Sequence, residues 1–159
     1  MPKSSKPVPE RCHTVTPYLV VKGAAQAIEF YKKALGAEEV YIMPGPGGGI
    51  MHAEICIGDS MIFMSEECVE RGVKSPLSLG GPGISLHLYV PDVDAAFQRA
   101  VAAGAQVIMP PMDMFWGDRF SKVSDPFGHH WSIATHVEDV PPEEMPKRAE
   151  EAMKQFAKG

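Results

Sequence analysis

The sequence predicts an α+β fold: two βαβββ modules followed by a C-terminal helix. Three observations carry this. A strand, a tight entry and a glycine-stopped helix at 16–36, TPYLVVKGAAQAIEFYKKALG, return at 84–104 as ISLHLYVPDVDAAFQRAVAAG. Leu19 answers Leu88, Val21 answers Val90 and Ile28 answers Phe97, each pair 69 residues apart, which marks a duplicated supersecondary unit. Within each copy an alternating run gives way to a run at helical spacing, so the periodicity changes where a strand hands over to a helix.

In the first copy, residues 13–21 read as a strand with Val15, Leu19 and Val21 towards the helices and Thr16, Tyr18 and Val20 on the other face. Ala24, Ala27, Ile28, Tyr31 and Leu35 make the stripe of a helix over 24–35, closed by Gly36. Residues 38–43 form a second strand, and the PGPGGG run at 44–49 is a loop. Residues 50–57 alternate again, placing His52, Glu54 and Cys56 opposite Met51, Ala53, Ile55 and Ile57. After a Gly58-Asp59 turn, 60–65 complete the unit.

The second copy has Leu86, Leu88 and Val90 alternating with Ser85, His87 and Tyr89. Asp92 is placed to cap a helix with the stripe Val93, Ala96, Phe97, Ala100 and Val101. Residues 105–109 are a strand, 110–116 a loop broken by two prolines, and 119–124 and 130–135 a hairpin around Asp125-Pro126-Phe127-Gly128. Pro141-Pro142 opens a last helix over about 143–157. Its stripe of Met145, Ala149, Ala152, Met153 and Phe156 is expected to cover the domain. The organisation is thus a flexible arm (1–12), one folded unit (13–140) and the C-terminal helix (141–159). Within the folded unit lie a first module (13–66), a polar linker (67–83) and a second module (84–137).

A net charge of -5 and a pI near 5.6 give no electrostatic reason to expect nucleic acid or an anionic membrane. No apolar run approaches the roughly 18 residues of a membrane span, and 1–14 lack a secretory pattern, so a cytoplasmic protein is expected. Cys12, Cys56 and Cys68 are odd in number and widely spaced, which suggests neither a disulfide framework nor a metal knuckle.

The duplicated unit, together with VSDPFGHHWSI at 123–133, resembles the vicinal oxygen chelate superfamily of glyoxalase I, bleomycin-resistance proteins and extradiol dioxygenases. TPYL at 16–19, HAEI at 52–55 and FWGDR at 115–119 are similar to its PhnB-like branch. The resemblance implies mixed, curved sheets cupped with the helices outside, a cavity on the concave face and a homodimer, with one divalent ion held by side chains of the first and last strands in the metal-dependent members. Here the ligand positions fall on Thr16, Ser85, Ser132 and around Ile62 or Phe63. None is a histidine or carboxylate, so no metal cofactor of the usual kind is expected.

Other polar groups share the inferred concave face: His52 and Glu54, His87 and Tyr89, and His130. They can form a displaced divalent metal site or a general acid and base pair; alternatively they are a hydrogen-bonded lining or part of a dimer seam. Trp116 and Arg119, on a loop the family places at the cavity mouth, can stack on a flat ligand and fork onto an anion. Alternatively, Asp118 pairs with Arg119 and Trp116 closes a dimer edge. Trp131 is expected in the core and His129 in solvent.

These residues support a small-molecule-binding homodimer without the usual metal centre. The alternative is a lyase or isomerase acting on a vicinal-oxygen substrate through His52, Glu54 or His87. A third reading is a dimeric partner protein with a vestigial cup.

Overall fold

The structure, a computed structural model, describes residues 4–157. Residues 1–3 of the predicted arm and 158–159 of the C-terminal stretch lie outside the described residues. The first module runs β1 (Tyr18–Val21), α1 (Ala24–Leu35), β2 (Glu38–Pro44), β3 (Ile50–Ile57) and β4 (Ser60–Glu66). A short helix, α2 (Pro76–Leu79), punctuates the connection. The second module runs β5 (Ser85–Tyr89), α3 (Val93–Ala103), β6 (Gln106–Asp113), β7 (Asp118–Ser124) and β8 (His130–His136), and α4 (Met145–Phe156) follows.

Each module forms one sheet, ordered β1-β4-β3-β2 and β5-β8-β7-β6. The first strand of each pairs in parallel with the last, and the remaining pairs are antiparallel. The repeat survives in the register: Tyr18 faces Phe63 in the first sheet, and His87 faces Ser132 in the second.

Both helices start and stop for local reasons. Asp92 accepts from Ala95 N at 3.0 Å and caps α3. Helix α1 begins after Gly23, which has no side chain to do this, so the carboxylate of Glu66 on β4 accepts from Gly23 N and Ala24 N, each at 2.7 Å. Replacing Glu66 with alanine is expected to cost about 1–2 kcal/mol, the range for a lost cap, measurable as a lower urea midpoint at unchanged slope.

The apolar faces of the two sheets and the two helices share one core. Leu19, Val21, Ile55, Ile62 and Met64 from the first sheet join Val123, Trp131 and Ile133 from the second, with Ile28, Tyr31, Val93 and Ala100 between them. Tyr31 is fully buried, and its ring lies 5.5 Å from that of Trp131. Arg99 on α3 donates to the backbone oxygens of Lys33 (2.6 Å) and Lys32 (3.1 Å), satisfying carbonyls that the C-terminal turn of α1 leaves free. Because both sheets turn their apolar faces to this core, their polar faces look away from it.

Several expectations are corrected. Strand β1 starts at Tyr18, five residues late, and Val15 is 82% exposed rather than packed on the helices. Strand β6 runs through Pro110 and Pro111, where a loop was predicted. It is an edge strand of its sheet, and its register slips between Val107 and Met109 and again before Met112, so the missing N–H groups break no regular ladder. The connection after β4 contains α2 and a 3-10 turn at Val69–Arg71. Helix α4 buries none of its residues, and Met153 and Phe156 of its stripe are largely exposed. An ion pair anchors it, Arg148 to Glu138, at 2.6 Å.

Candidate functional site

The alternation of β3, β4 and β1 places His52, Glu54, Phe63 and Tyr18 on one polar face. Tyr18 OH lies 2.9 Å from His52 Nδ1, and His52 Nε2 lies 3.3 Å from Glu54 Oε1. The ring of Phe63 packs edge-on against both His52 (5.1 Å) and Tyr18 (6.0 Å). If His52 Nε2 donates to the Glu54 carboxylate, Nδ1 is left to accept from Tyr18, so the three side chains form one directed chain. Such a chain can bind an oxygen or move a proton at the Tyr18 hydroxyl.

On the second sheet, His87 Nδ1 and Ser132 Oγ are 2.6 Å apart, joining neighbours in register. The His87 ring meets Tyr89 edge-on at 4.5 Å and lies nearly parallel to Phe120 at 5.9 Å and 18°. Trp116 crosses the edge of Phe120 at 5.7 Å. Asp118 fixes this aromatic group: its Oδ2 accepts from Tyr89 OH (3.0 Å) and Trp116 Nε1 (3.1 Å), and its Oδ1 from His136 Nδ1 (2.8 Å). Burial pushes the Asp118 carboxyl up, but hydrogen bonds from His136, Tyr89 and Trp116 bring it below the ordinary aspartate value. The His136 imidazole is held above its ordinary value by Asp139 and then by Asp118.

The predicted residues do not all gather there. Thr16 precedes β1 and donates to His13 O at 2.9 Å. Ser85 and His130 are paired in register at the start of their strands, one row from His87 and Ser132. Arg119 leaves the site altogether. It alternates with Asp118 along β7 and turns to the helix side, where it pairs with Asp94 on α3 (2.7 Å) and Asp113 (3.1 Å). His129, expected in solvent, is buried, with Nε2 3.0 Å from Val20 O. Trp131 is in the core as expected, 3% exposed.

Phe120, Lys122 and His136 were missed, although continuing the β7 and β8 alternation from Asp118 and His130 would have placed them on this face. A cleft of about 370 Å³ opens at the seam between the sheets, walled mostly by apolar residues such as Leu86, Leu88, Ile57 and Ile62, with His13, Asp59 and His87 also lining it.

The donor set does not suit the family's ion. Ile62 faces the core, leaving Phe63, Thr16, Ser85 and Ser132 at the four positions; Thr16 already donates to a carbonyl, and Ser132 lies against His87. Among the described residues, no group of three or more His, Cys, Asp or Glu side chains is arranged to hold a metal ion.

Comparison with known proteins agrees with this architecture. A Mycobacterium tuberculosis (strain H37Rv) protein is 46% identical over 134 residues, 82% of this chain and 79% of the relative. The crystal structure of TioX from Micromonospora sp. ML1 is 26% identical and covers 79% of this chain and 99% of its own, with a TM-score of 0.61. A PhnB protein from Bacillus cereus shares the fold at 19% identity and a TM-score of 0.60, covering 77% of this chain and 99% of its own. The family model described as Glyoxalase/Bleomycin resistance protein/Dioxygenase superfamily matches residues 12–133. With that match added to two sheets built from duplicated βαβββ units, the chain belongs to the Glyoxalase/Bleomycin resistance protein/Dioxygenase superfamily.

Proposed function

We propose that this chain is a small-molecule-binding protein that works without the superfamily's usual metal centre, and that a second copy closes its cup. The observation carrying this reading is the outward turn of both polar faces, each bearing aromatic rings beside hydrogen-bonding groups. Tyr18 and Tyr89 are 51% and 61% exposed, a large open area for aromatic side chains in a single chain. Bringing the first face of one copy onto the second face of another would enclose a space walled by Tyr18, His52, Phe63, His87, Phe120 and Trp116.

The test pairs light scattering with elemental analysis of protein purified without chelator. A dimer at micromolar concentration carrying well under one divalent ion per chain is expected. A stable monomer, or one tightly held ion per chain, would overturn the reading.

A second reading, lyase or isomerase chemistry, is favoured by the hydrogen-bonded chain of Tyr18, His52 and Glu54. On that reading Glu54→Gln abolishes turnover of a vicinal-oxygen substrate at unchanged melting temperature. On the first it leaves the recovered ligand chemically unaltered in both proteins.

A further inference from the structure

We infer that the polar face of the second sheet carries an anion subsite at Lys122, and that the ligand of the cup is a flat, ring-bearing carboxylate. This rests on the small-molecule reading above and names the chemistry of the ligand.

The register sets the subsite. Lys122 on β7 pairs with Ser132 on β8, which pairs with His87 on β5, so the three make one row across the sheet. Side chains in adjacent paired positions start about 5 Å apart, and the Ser132 and His87 side chains close to 2.6 Å. The next row brings Ser124, His130 and Ser85 together on the same face. The row of Lys122 and the next one thus carry hydroxyls and imidazoles on the same face.

Lys122 is half-buried, yet among the described residues no carboxylate lies within ion-pair distance of it. The acidic groups that could have neutralised it are committed elsewhere. Asp118, on the same face, already accepts from Tyr89, Trp116 and His136. Arg119, the cation expected to meet an anionic ligand, is held on the opposite face by Asp94 and Asp113. A half-buried lysine with no carboxylate paired to it, in a row of hydroxyl and imidazole side chains, favours an anion.

The ring half of the ligand follows from the neighbouring row. Phe120 stands two residues before Lys122 on the same face, about 7 Å along the strand. With His87 stacked on it and Trp116 at its edge, it offers an aromatic floor. That spacing suits a carboxylate joined directly to a fused ring, the ring over Phe120 and the carboxylate at Lys122.

Calorimetric titration of the full chain with 2-naphthoate and 2-naphthamide, which share a shape and differ in charge, tests the inference. The wild type is expected to bind the acid at least about tenfold more tightly than the amide, as for hydrogen bonds to a charged group. Lys122→Met should equalise the two, and Lys122→Arg should keep most of the preference. Equal affinities in the wild type would overturn the subsite while leaving the cup reading intact. So would a preference that survives Lys122→Met, the result expected if another group of the cup holds the anion; pairing of the lysine with Glu54 of a second copy would instead give equal affinities in the wild type. Binding of neither probe would overturn this inference, while the cup reading is decided by the dimer and metal measurements above. Thermal melts of both variants verify folding, and the wild-type preference is read independently of them.

Discussion

Replacing Asp125 with alanine is expected to lower the unfolding free energy by about 3–5 kcal/mol, because it strands several buried donors at about 1–3 kcal/mol each. Asp125 sits in the β7–β8 turn, 5% exposed, with four donors on it. Oδ2 accepts from Tyr31 OH at 2.6 Å and Trp131 Nε1 at 2.9 Å; Oδ1 accepts from Phe127 N and His129 N, each at 2.9 Å. Tyr31 belongs to α1 of the first module and the rest to the hairpin of the second, so one carboxylate joins the two. Burial, and then the charge of Asp125, push the Tyr31 phenol well above its ordinary value, which keeps it a donor at any working pH. Alanine strands these donors in a site too tight for easy rehydration. Asp125→Asn should cost less, because the amide oxygen keeps one pair of donors while its NH2 faces the other. Urea unfolding of both variants checks the order, and an alanine cost below about 1 kcal/mol would show that the turn does not depend on the carboxylate.

The same residue shows why part of the molecule was hidden in the sequence. The Asp-Pro-Phe-Gly turn was legible, and Gly128 takes its φ of 87° there. Its joining role was not, because Tyr31 lies 94 residues away. What could be read was what local periodicity encodes. The span of α1 came out to the residue because its apolar stripe ends on Gly36 at φ 67°, and α3 is closed likewise by Gly104 at φ 119°. Strand β3 was equally plain from its alternation. Strand β6 was not, since Pro110 and Pro111 signal a loop unless the strand is known to lie at an edge. The amphipathic stripe of α4 was visible too, but amphipathicity says nothing about which surface, if any, lies against it.

The site divides in the same way. Tyr18, His52, Glu54, His87 and Tyr89 followed from parity along strands whose faces were already assigned. Arg119 was misplaced because the resemblance set it on a loop at the cavity mouth, although the strand read over 119–124 began at that residue and parity was not applied to it. Once β7 is known to begin at Asp118, the same rule sends Arg119 to the helices and brings Phe120 and Lys122 to the polar face.

Gly117→Ala is expected to cost at least about 2 kcal/mol and to disturb the aromatic half of the site as well. Gly117 has a φ of 98°, a conformation costing a side chain about 1–3 kcal/mol. Space is also lacking: an added Cβ would overlap the Glu138 carbonyl oxygen and crowd Val140. The Gly117 carbonyl accepts from Val137 N (2.9 Å) and Glu138 N (3.0 Å), so the clash pushes apart two segments that the backbone holds together. Trp116 precedes the glycine and Asp118 follows it, and His136, which orients Asp118, adjoins the displaced segment. The Trp116 indole N–H resonance should therefore shift, while that of Trp131 in the core stays in place. Gly80→Ala is the closer control. Its φ of 86° also lies beyond the usual left-handed region, and nothing lies within 4 Å of the added carbon. The excess cost of Gly117→Ala over Gly80→Ala measures chiefly the close approach, and equal costs with an unmoved Trp116 signal would mean that the 137–140 segment yields freely and does not set the tryptophan.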